Sequence, residues 1–493
     1  MRLRFAPSPT GYIHVGNVRT ALFNFLHAKK HNGEFILRIE DTDIERSTKE
    51  YEESLLNSIK WLGLSWNEGP DIGGEYGPYR QSERIDLYKK HAHQLMEEGK
   101  AYYCFCTPEE LEIEREKAKK EGKPYKYSGK CRDIPMEEAQ KRVDSGEKAV
   151  IRFKMPQEKD FKYNDLIRGE ISFDLNLFGD FVIIRSNGLP SYNYAVVIDD
   201  HFMKITDIIR GEDHISNTPK QIKLYEAFGW TPPNFGHLSM VLGPDGSPLS
   251  KRHGATSLVQ FDEMGYLPEA LLNYLAMLGW APPEDREILS LNELIKLFDI
   301  TKVSKSGAIF DYNKLNWVNK KHIQNLSEEE ILIRGEKFLK DKKIMDGFTT
   351  LGDKEKEWFK KAVKAIKTNL TTLTDLPDEL NIFFEYKTDK EAFKELREES
   401  GKKVLNLLYK TFKEKKEISV KDIFDFIKTA KNEGIKGKEL FHPMRVIFTG
   451  QSSGVELDKF LEIIGSGDNL SFKRKPLSLF ERLEKAINII NKQ

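Results

Sequence analysis

Residues 1–26 constrain the fold most, because they pass from a strand through a tight turn into a helix with almost no spare chain. Leu3 and Phe5 alternate with Arg2 and Arg4, a Pro/Ser/Gly turn runs from Pro7 to Gly11, and His14-Val15-Gly16-Asn17 opens an apolar helix through Ala21, Leu22 and Phe25. A strand feeding a helix through such a turn is half of a βαβ unit, and its helix start offers unpaired backbone N–H groups and the positive end of the helix dipole to phosphate. The alternation continues: 35–43 (FILRIEDTD) reads as a strand ending in carboxylates and hydroxyls, and 45–62 as a helix stopped by Gly63. This pattern predicts an α/β fold with a parallel sheet and crossover helices. Ligands then sit beyond the carboxyl ends of the strands, so His14 and Glu40 are expected to face one crevice.

At 493 residues the chain exceeds a single core, and roughly three to five domains are expected. It contains no apolar run of roughly eighteen residues and its charged, Pro-containing start lacks a signal-peptide core, which predicts a cytoplasmic protein with no membrane partner. Three cysteines in a chain of this size exclude a disulfide framework and point to a reducing compartment. The 78 basic residues equal the 78 acidic ones, yet the balance is uneven: residues 301–493 carry the basic excess and the first 300 the acidic one. A polyanion partner for the C-terminal part is one reading, and a solvated lysine-rich helical surface is the other.

Along the chain, a helix beginning at Ser82 carries Ile85, Tyr88, Ala92, Leu95 and Met96 on one face and closes at Gly99. Tyr102-Tyr103-Cys104-Phe105-Cys106 follows, and then a helix with Thr107 as N-cap, Pro108 in its first turn and Glu110 completing a capping box. Segments within 149–185 (AVIRFKM, GEISFDL, DFVIIRS) read as strands. The sheet is expected to resume at 194–200 (YAVVIDD), and 203–214 adds a further strand and a polar turn. From Leu267 onward helical spacing dominates. The expected divisions are 1–82, 83–183, 184–229, 230–322, 323–378 and 379–493.

His14-x-Gly16 alone is weak evidence, since a histidine beside a turn is commonly a cap or a packing residue. It gains force from Pro248-Leu249-Ser250-Lys251-Arg252-His253-Gly254, a lysine-bearing loop that follows the returning sheet. A phosphate-ready helix start together with such a loop describes an ATP site that stabilises a transferring nucleotidyl group.

These two motifs resemble the HIGH and KMSKS signatures of class I aminoacyl-tRNA synthetases. The text around them is similar to bacterial glutamyl-tRNA synthetases along nearly the whole chain: RFAPSPTG at 4–11, RTALFNFL at 19–26, LRIEDTD at 37–43, GPYRQSER at 77–84, IRGEDH at 209–214, LSKRHGA at 249–255 and FDYNKLNWVN at 310–319. The resemblance implies a Rossmann-type catalytic domain in two halves (1–82 and 184–229) around an acceptor-stem-binding insert, a signature-loop and helical connective region, and an all-α anticodon-binding region in two parts from 323. KGKELFHPMRVIFTG at 436–450 is the clearest segment of that last region.

The implied activity is activation of L-glutamate with Mg2+-ATP to glutamyl-adenylate, followed by transfer to the 2'-hydroxyl of the terminal adenosine of tRNA-Glu. It implies that His14, Gly16, Ser250, Lys251 and Arg252 meet ATP, with His14 and Lys251 catalytic. Arg4 is expected at the substrate's side-chain carboxylate, Ser8 and Glu40 near its ammonium, Arg210 at its α-carboxylate, and Tyr192 facing it. A substrate with two carboxylates and one ammonium requires guanidinium forks and a compensating anion. Pro248 stands where many relatives carry the first signature lysine, which leaves Lys251 and Arg252 to supply the charge. Asn17 replaces the final histidine of the first signature.

All three cysteines lie between 104 and 131. Three unrelated buried thiols are one reading; Cys104, Cys106 and Cys131 with Tyr127 as tetrahedral ligands of a structural Zn2+ are the other. Similar C-x-C and Y-x-x-x-C ligands in the resembled family favour zinc. Near Lys367-Thr368-Asn369 some relatives that reject tRNA-Gln carry an arginine; its absence predicts that tRNA-Gln is charged as well. A monomer is expected. The alternatives are a glutamyl-queuosine tRNA(Asp) synthetase, which lacks the anticodon-binding part, and a non-catalytic tRNA-binding paralogue.

Overall fold

The structure, a computed structural model, describes residues 1–43, 45–415, 417–467 and 470–491. The chain divides into two compact units, Met1–Phe261 with Leu271–Asp311, and Asp262–Ala270 with Tyr312–Gln493. In chain order the first unit begins β1 (Arg2–Phe5), α1 (Val15–Lys30), β2 (Glu34–Leu37), α2 (Lys49–Trp61), α3 (Ile85–Glu97), β3 (Ala101–Cys104), α4 (Pro108–Lys120) and α5 (Met136–Asp144). It continues β4 (Val150–Phe153), β5 (Phe161–Asp165), β6 (Gly169–Phe173), β7 (Phe181–Ile184), α6 (Tyr192–Phe202), β8 (Asp207–Gly211), α7 (Thr218–Ala227), β9 (Asn234–Leu238) and β10 (Val241–Leu242).

Among the described residues the main sheet has six strands in the order β2-β1-β8-β9-β5-β6. β1 pairs in parallel with β2 on one side and β8 on the other, β8 with β9, and β9 with β5; β6 closes the edge as an antiparallel hairpin partner of β5. The chain leaves β1 toward β2 and returns on its other side as β8, so the β1/β8 junction is where a doubly wound sheet opens its crevice. A separate three-stranded antiparallel sheet, β3-β4-β7, stands within the intervening segment.

α1 forms because its helix-favouring residues bury nearly all round: Ala21, Leu22, Phe23, Phe25 and Leu26 are inaccessible or nearly so. The Thr107–Glu110 capping box at the head of α4 is present, and Gly63, at φ +79°, stops the turn after α2 in a backbone conformation that disfavours a side chain. β2 is shorter than the 35–43 run. Beyond Leu37 the chain stays extended beside β1, with Arg38 N donating to Phe5 O at 3.0 Å and Glu40 N to Pro7 O at 3.0 Å.

Residues 194–200, expected as a strand, are the buried helix α6. A continuous apolar run has no periodicity that separates a buried helix from a core strand. Contacts decide it. Asp199 and Asp200 both reach Arg38, at 3.7 and 2.6 Å; consecutive residues stand about 100° apart on a helix but on opposite faces of a strand.

The second unit is helical throughout its described residues. Trp358 anchors its core, with Nε1 donating to Ile463 O at 2.8 Å and rings of Phe359, Phe383 and Phe384 around it. Arg482, buried, donates to the carbonyls of Phe448, Ile382 and Phe383 and ties three helices together at backbone level. No helix of the described residues is long and apolar enough to cross a membrane.

Candidate active site

A cavity of about 580 Å³ opens over the carboxyl ends of β1 and β8. Each element supplies one group. Arg4 comes from β1, Ser8 from the turn that follows, His14 and Gly16 from the start of α1, Glu40 from the extension of β2, Tyr192 from the start of α6, and Arg210 from β8; all border the cavity. Every expected glutamate-contacting residue is therefore in one place, together with both residues of the first signature.

His14 is the N-cap of α1: its Nδ1 accepts from Gly16 N at 3.1 Å. That bond fixes the tautomer with the proton on Nε2, a buried atom with no partner among the described residues. Burial lowers the pKa of the ring, so it stays neutral and offers one N–H donor toward an anion. His14 thus caps the helix and still leaves one N–H without a partner among the described residues.

Arg4 is held by Asp200, Nε to Oδ1 at 3.0 Å and Nη2 to Oδ2 at 3.3 Å. Asp200 also accepts from Arg38 Nη1 at 2.6 Å, and Arg38 Nη2 donates to Glu40 at 3.1 Å. Burial alone would raise the Asp200 pKa, but Arg38 and Arg4 outweigh it and the net shift is downward. For Glu40 burial prevails over Arg38 and Arg4, and its pKa is raised. Arg210 donates through Nε to His237 Nε2 at 3.2 Å and through Nη2 to Thr218 Oγ1 at 2.8 Å; its Nη1 is buried with no partner among the described residues. Two guanidiniums and one carboxylate thus line a closed floor, each clamped from behind.

Asp199, Asp200, Arg38, Asp165 and His237 escaped the sequence reading. Single charged residues and a lone histidine carry no periodicity, and only the packing of α6 and the order of the strands reveals their partners.

The second signature follows β9. β10 pairs with Ala308–Ile309, the chain turns at 243–247, and Pro248 and Leu249 reach the cavity wall. Ser250, Lys251 and Arg252 lie outside the lining. Ser250 starts a short 3-10 turn over Lys251–His253. Arg252 is engaged by Asp245 at 3.0 Å and Ser247 Oγ at 2.6 Å, whereas exposed Lys251 makes no ion pair among the described residues. The loop's far end returns to α1: Val15 N donates to Thr256 O at 2.9 Å and Ser257 bridges His14. The two signatures are therefore physically joined.

In the insert, Cys104, Cys106 and Cys131 gather with all three sulfurs within 4.8 Å of one another. Cys106 and Cys131 Sγ are 3.7 Å apart, and Tyr127 Oη lies 3.4 Å from Cys104 Sγ and 3.5 Å from Cys106 Sγ. A tetrahedral zinc with Zn–S bonds of about 2.3 Å separates its sulfurs by about 3.8 Å. Cys106 and Cys131 already stand at that spacing, the third sulfur is within 4.8 Å of both, and a phenol oxygen lies beside two of the three, so the donor set fits zinc.

Residues 1–317 match the family described as "tRNA synthetases class I (E and Q), catalytic domain", and residues 335–471 match "Anticodon binding domain". The glutamate--tRNA ligase of a Sulfurihydrogenibium species is 49% identical over 469 residues, 94% of this chain and 96% of its own. That of Natranaerobius thermophilus is 47% identical over the same shares. The chain belongs to the glutamate–tRNA ligase family. Its members are aminoacyl-tRNA ligases, and the structural likeness agrees. The crystal structure of a glutamate tRNA ligase from Elizabethkingia meningosepticum, in complex with its amino acid, superposes with a TM-score of 0.87 at 35% identity over 100% of both chains. A glutamate-tRNA synthetase from Elizabethkingia anophelis gives 0.85 at 36% identity, with 99% of each chain covered. Glutamate–tRNA ligation is the activity this chain shares with these relatives.

Proposed function

We propose that the cavity at the β1/β8 junction binds L-glutamate and ATP side by side and joins them as glutamyl-adenylate. Glutamate's α-carboxylate oxygen attacks the α-phosphorus, the bond to the β-phosphate oxygen breaks, and pyrophosphate leaves. The glutamyl group then passes to the 2'-hydroxyl of the terminal adenosine of tRNA-Glu, releasing AMP. The observation that carries this reading is the unpartnered, buried Nη1 of Arg210 beside the clamped fork of Arg4 in one floor. A buried donor without an acceptor is costly, and a carboxylate placed there satisfies it.

In this reading Arg210 takes the α-carboxylate, Arg4 the side-chain carboxylate, Ser8 and Glu40 the ammonium, and Tyr192 packs against the chain. His14 Nε2–H and the open amides at the start of α1 receive phosphate oxygens, and Gly16 lets them approach. Lys251, with Ser250 and Arg252 beside it, supplies positive charge to the departing pyrophosphate. Mg2+ accompanies the nucleotide and neutralises phosphate charge when bound. Zn2+ at Cys104, Cys106, Tyr127 and Cys131 holds the insert together and performs no chemical step. In the helical unit, Lys438 and Arg445 border a hollow at the head of helix Lys438–Thr449, where RNA phosphate would be met.

ATP–pyrophosphate exchange with tRNA present tests the site: Arg210→Gln and Arg4→Gln should raise the glutamate KM while leaving that for ATP near wild type. An unchanged glutamate KM in both would refute the assignment. Charging tRNA-Gln rests on the lack of an arginine at 367–369, where Lys367 pairs with Glu328 at 3.6 Å and Asn369 donates to Glu379 at 2.7 Å. Charging tRNA-Glu and tRNA-Gln transcripts with labelled glutamate decides it.

A further inference from the structure

We infer that His237 and Asp165 form a buried relay that positions Arg210, so that glutamate affinity depends on an imidazole that never touches the substrate. This inference rests on the assignment of Arg210 to the α-carboxylate and adds two positioning residues to it.

Three neighbouring strands each contribute one member. Arg210 of β8 and His237 of β9 are register partners, and Asp165 is the last residue of β5, which lies on the other side of β9. His237 Nδ1 stands 2.6 Å from Asp165 Oδ2, and its Nε2 is 3.2 Å from Arg210 Nε. Arg210 can only donate, so Nε2 must be the bare, accepting nitrogen and Nδ1 must carry the proton to the carboxylate. The tautomer is thus fixed from both sides. Asp165 is itself immobilised by the N–H groups of Ile167 at 2.9 Å, Arg168 at 2.8 Å and His237 at 3.3 Å. Thr218 Oγ1, which accepts from Arg210 Nη2, closes the frame 3.1 Å from His237 Nε2.

The consequence is orientation. Nε and Nη2 of Arg210 are both tied back, which leaves Nη1 as the nitrogen turned to the ligand. Without an acceptor at Nε, the guanidinium plane can rotate and the fork loses its aim. The groups facing the ring are Asp165 and Tyr163 from β5, Arg168 after it, Arg210 from β8, and His214 and Thr218 beyond β8. Burial and the two arginines favour the neutral ring, opposed by Asp165, and the net shift is downward.

Two half-isosteres separate the relay from a merely structural role. His237→Asn places an amide donor near the Nδ1 position and keeps Asp165, but its shorter side chain puts no acceptor at the Nε2 position that Arg210 uses. His237→Gln places an amide oxygen near the Nε2 position and restores the acceptor while losing the bond to Asp165. In the full-length enzyme with tRNA present, H237N should raise the glutamate KM about 10- to 100-fold, as expected for a bond to a charged group. The ATP KM should stay within about threefold, and H237Q should recover most of the loss. Equal effects of H237N and H237Q, a wild-type glutamate KM in H237N, or a parallel rise in the ATP KM would overturn the relay. If H237N does not fold, ¹⁵N NMR of histidine-labelled wild-type enzyme decides: a bare Nε2 and protonated Nδ1 near neutral pH support it, and a protonated Nε2 overturns it. Arg210→Gln is the control. If it leaves the glutamate KM unmoved, the Arg210 assignment fails and the relay with it; if it raises KM while H237N does not, the relay alone fails.

Discussion

Replacing Asp200 by Asn probes the clamp beneath the proposed glutamate site. The carboxylate is fully buried and bridges two guanidiniums, Arg4 at 3.0 Å and Arg38 at 2.6 Å. Arg38 retains Asp199 and Glu40 after the change, but Asp200 is Arg4's ion-pair partner among the described residues. Removing one member of a buried pair leaves an uncompensated charge and costs about 3–5 kcal/mol. At about 1.4 kcal/mol per factor of ten, the opening equilibrium around β1, β2 and α6 should rise by roughly two to three and a half powers of ten. Native-state hydrogen exchange followed by peptide mass spectrometry reads this locally, which matters because two compact units need not unfold together. Arg4→Met combined with D200N should cost clearly less than the sum of the two single changes, since it removes the orphaned cation as well. The pH dependence has a definite sign. The native Asp200 pKa lies below its unfolded value, so its contribution is complete above the ordinary carboxylate range and fades as pH falls through the native value. The wild type should therefore lose its advantage over D200N on acidification. Exchange in D200N within about threefold of wild type, or strict additivity in the double mutant, would refute the reasoning.

Lys251→Ala should slow adenylate formation about 10²- to 10³-fold, the loss typical of one preorganised electrostatic donor; single-turnover pyrophosphate release measures it, and a change of a few-fold would remove Lys251 from the reaction. Protein purified without chelator should carry one zinc per chain by elemental analysis, and Cys106→Ala should lose most of it. Asp245→Ala frees Arg252 from its exposed ion pair and should speed proteolysis within 243–254 without altering the melting of the first unit.

Part of the candidate site is legible in the sequence. His14 and Lys251 sit in motifs with fixed local chemistry, and the capping box of α4 follows from Thr107 and Glu110 alone. What could not be read is of two kinds. The 194–198 stretch of α6 is continuously apolar, so its letters do not distinguish a core strand from a core helix, and the deciding fact is that adjacent Asp199 and Asp200 share Arg38. The groups that brace the site are the other kind. Asp165, His237 and Asp200 are scattered through the chain, and they acquire meaning only from strand order, for the first two, and from the packing of α6 against β1 and the extension of β2, for Asp200. Arg252 shows the converse: its motif assigns it a charge to spend on ATP, while the structure commits that charge to Asp245.

The strand order also has a bearing on how the chain is made. β1 ends at Phe5, but its second neighbour begins at Asp207. At ribosomal rates of roughly 5–20 residues per second, β1 waits about 10–40 s with one edge open. An open strand edge invites pairing with other nascent chains, and inward-pointing charge is a known deterrent. Arg4 sits on that strand, and its ion-pair partner Asp200 is synthesised only shortly before β8. The residue proposed to meet a substrate carboxylate in the finished enzyme would thus also keep the unfinished one solitary on the ribosome.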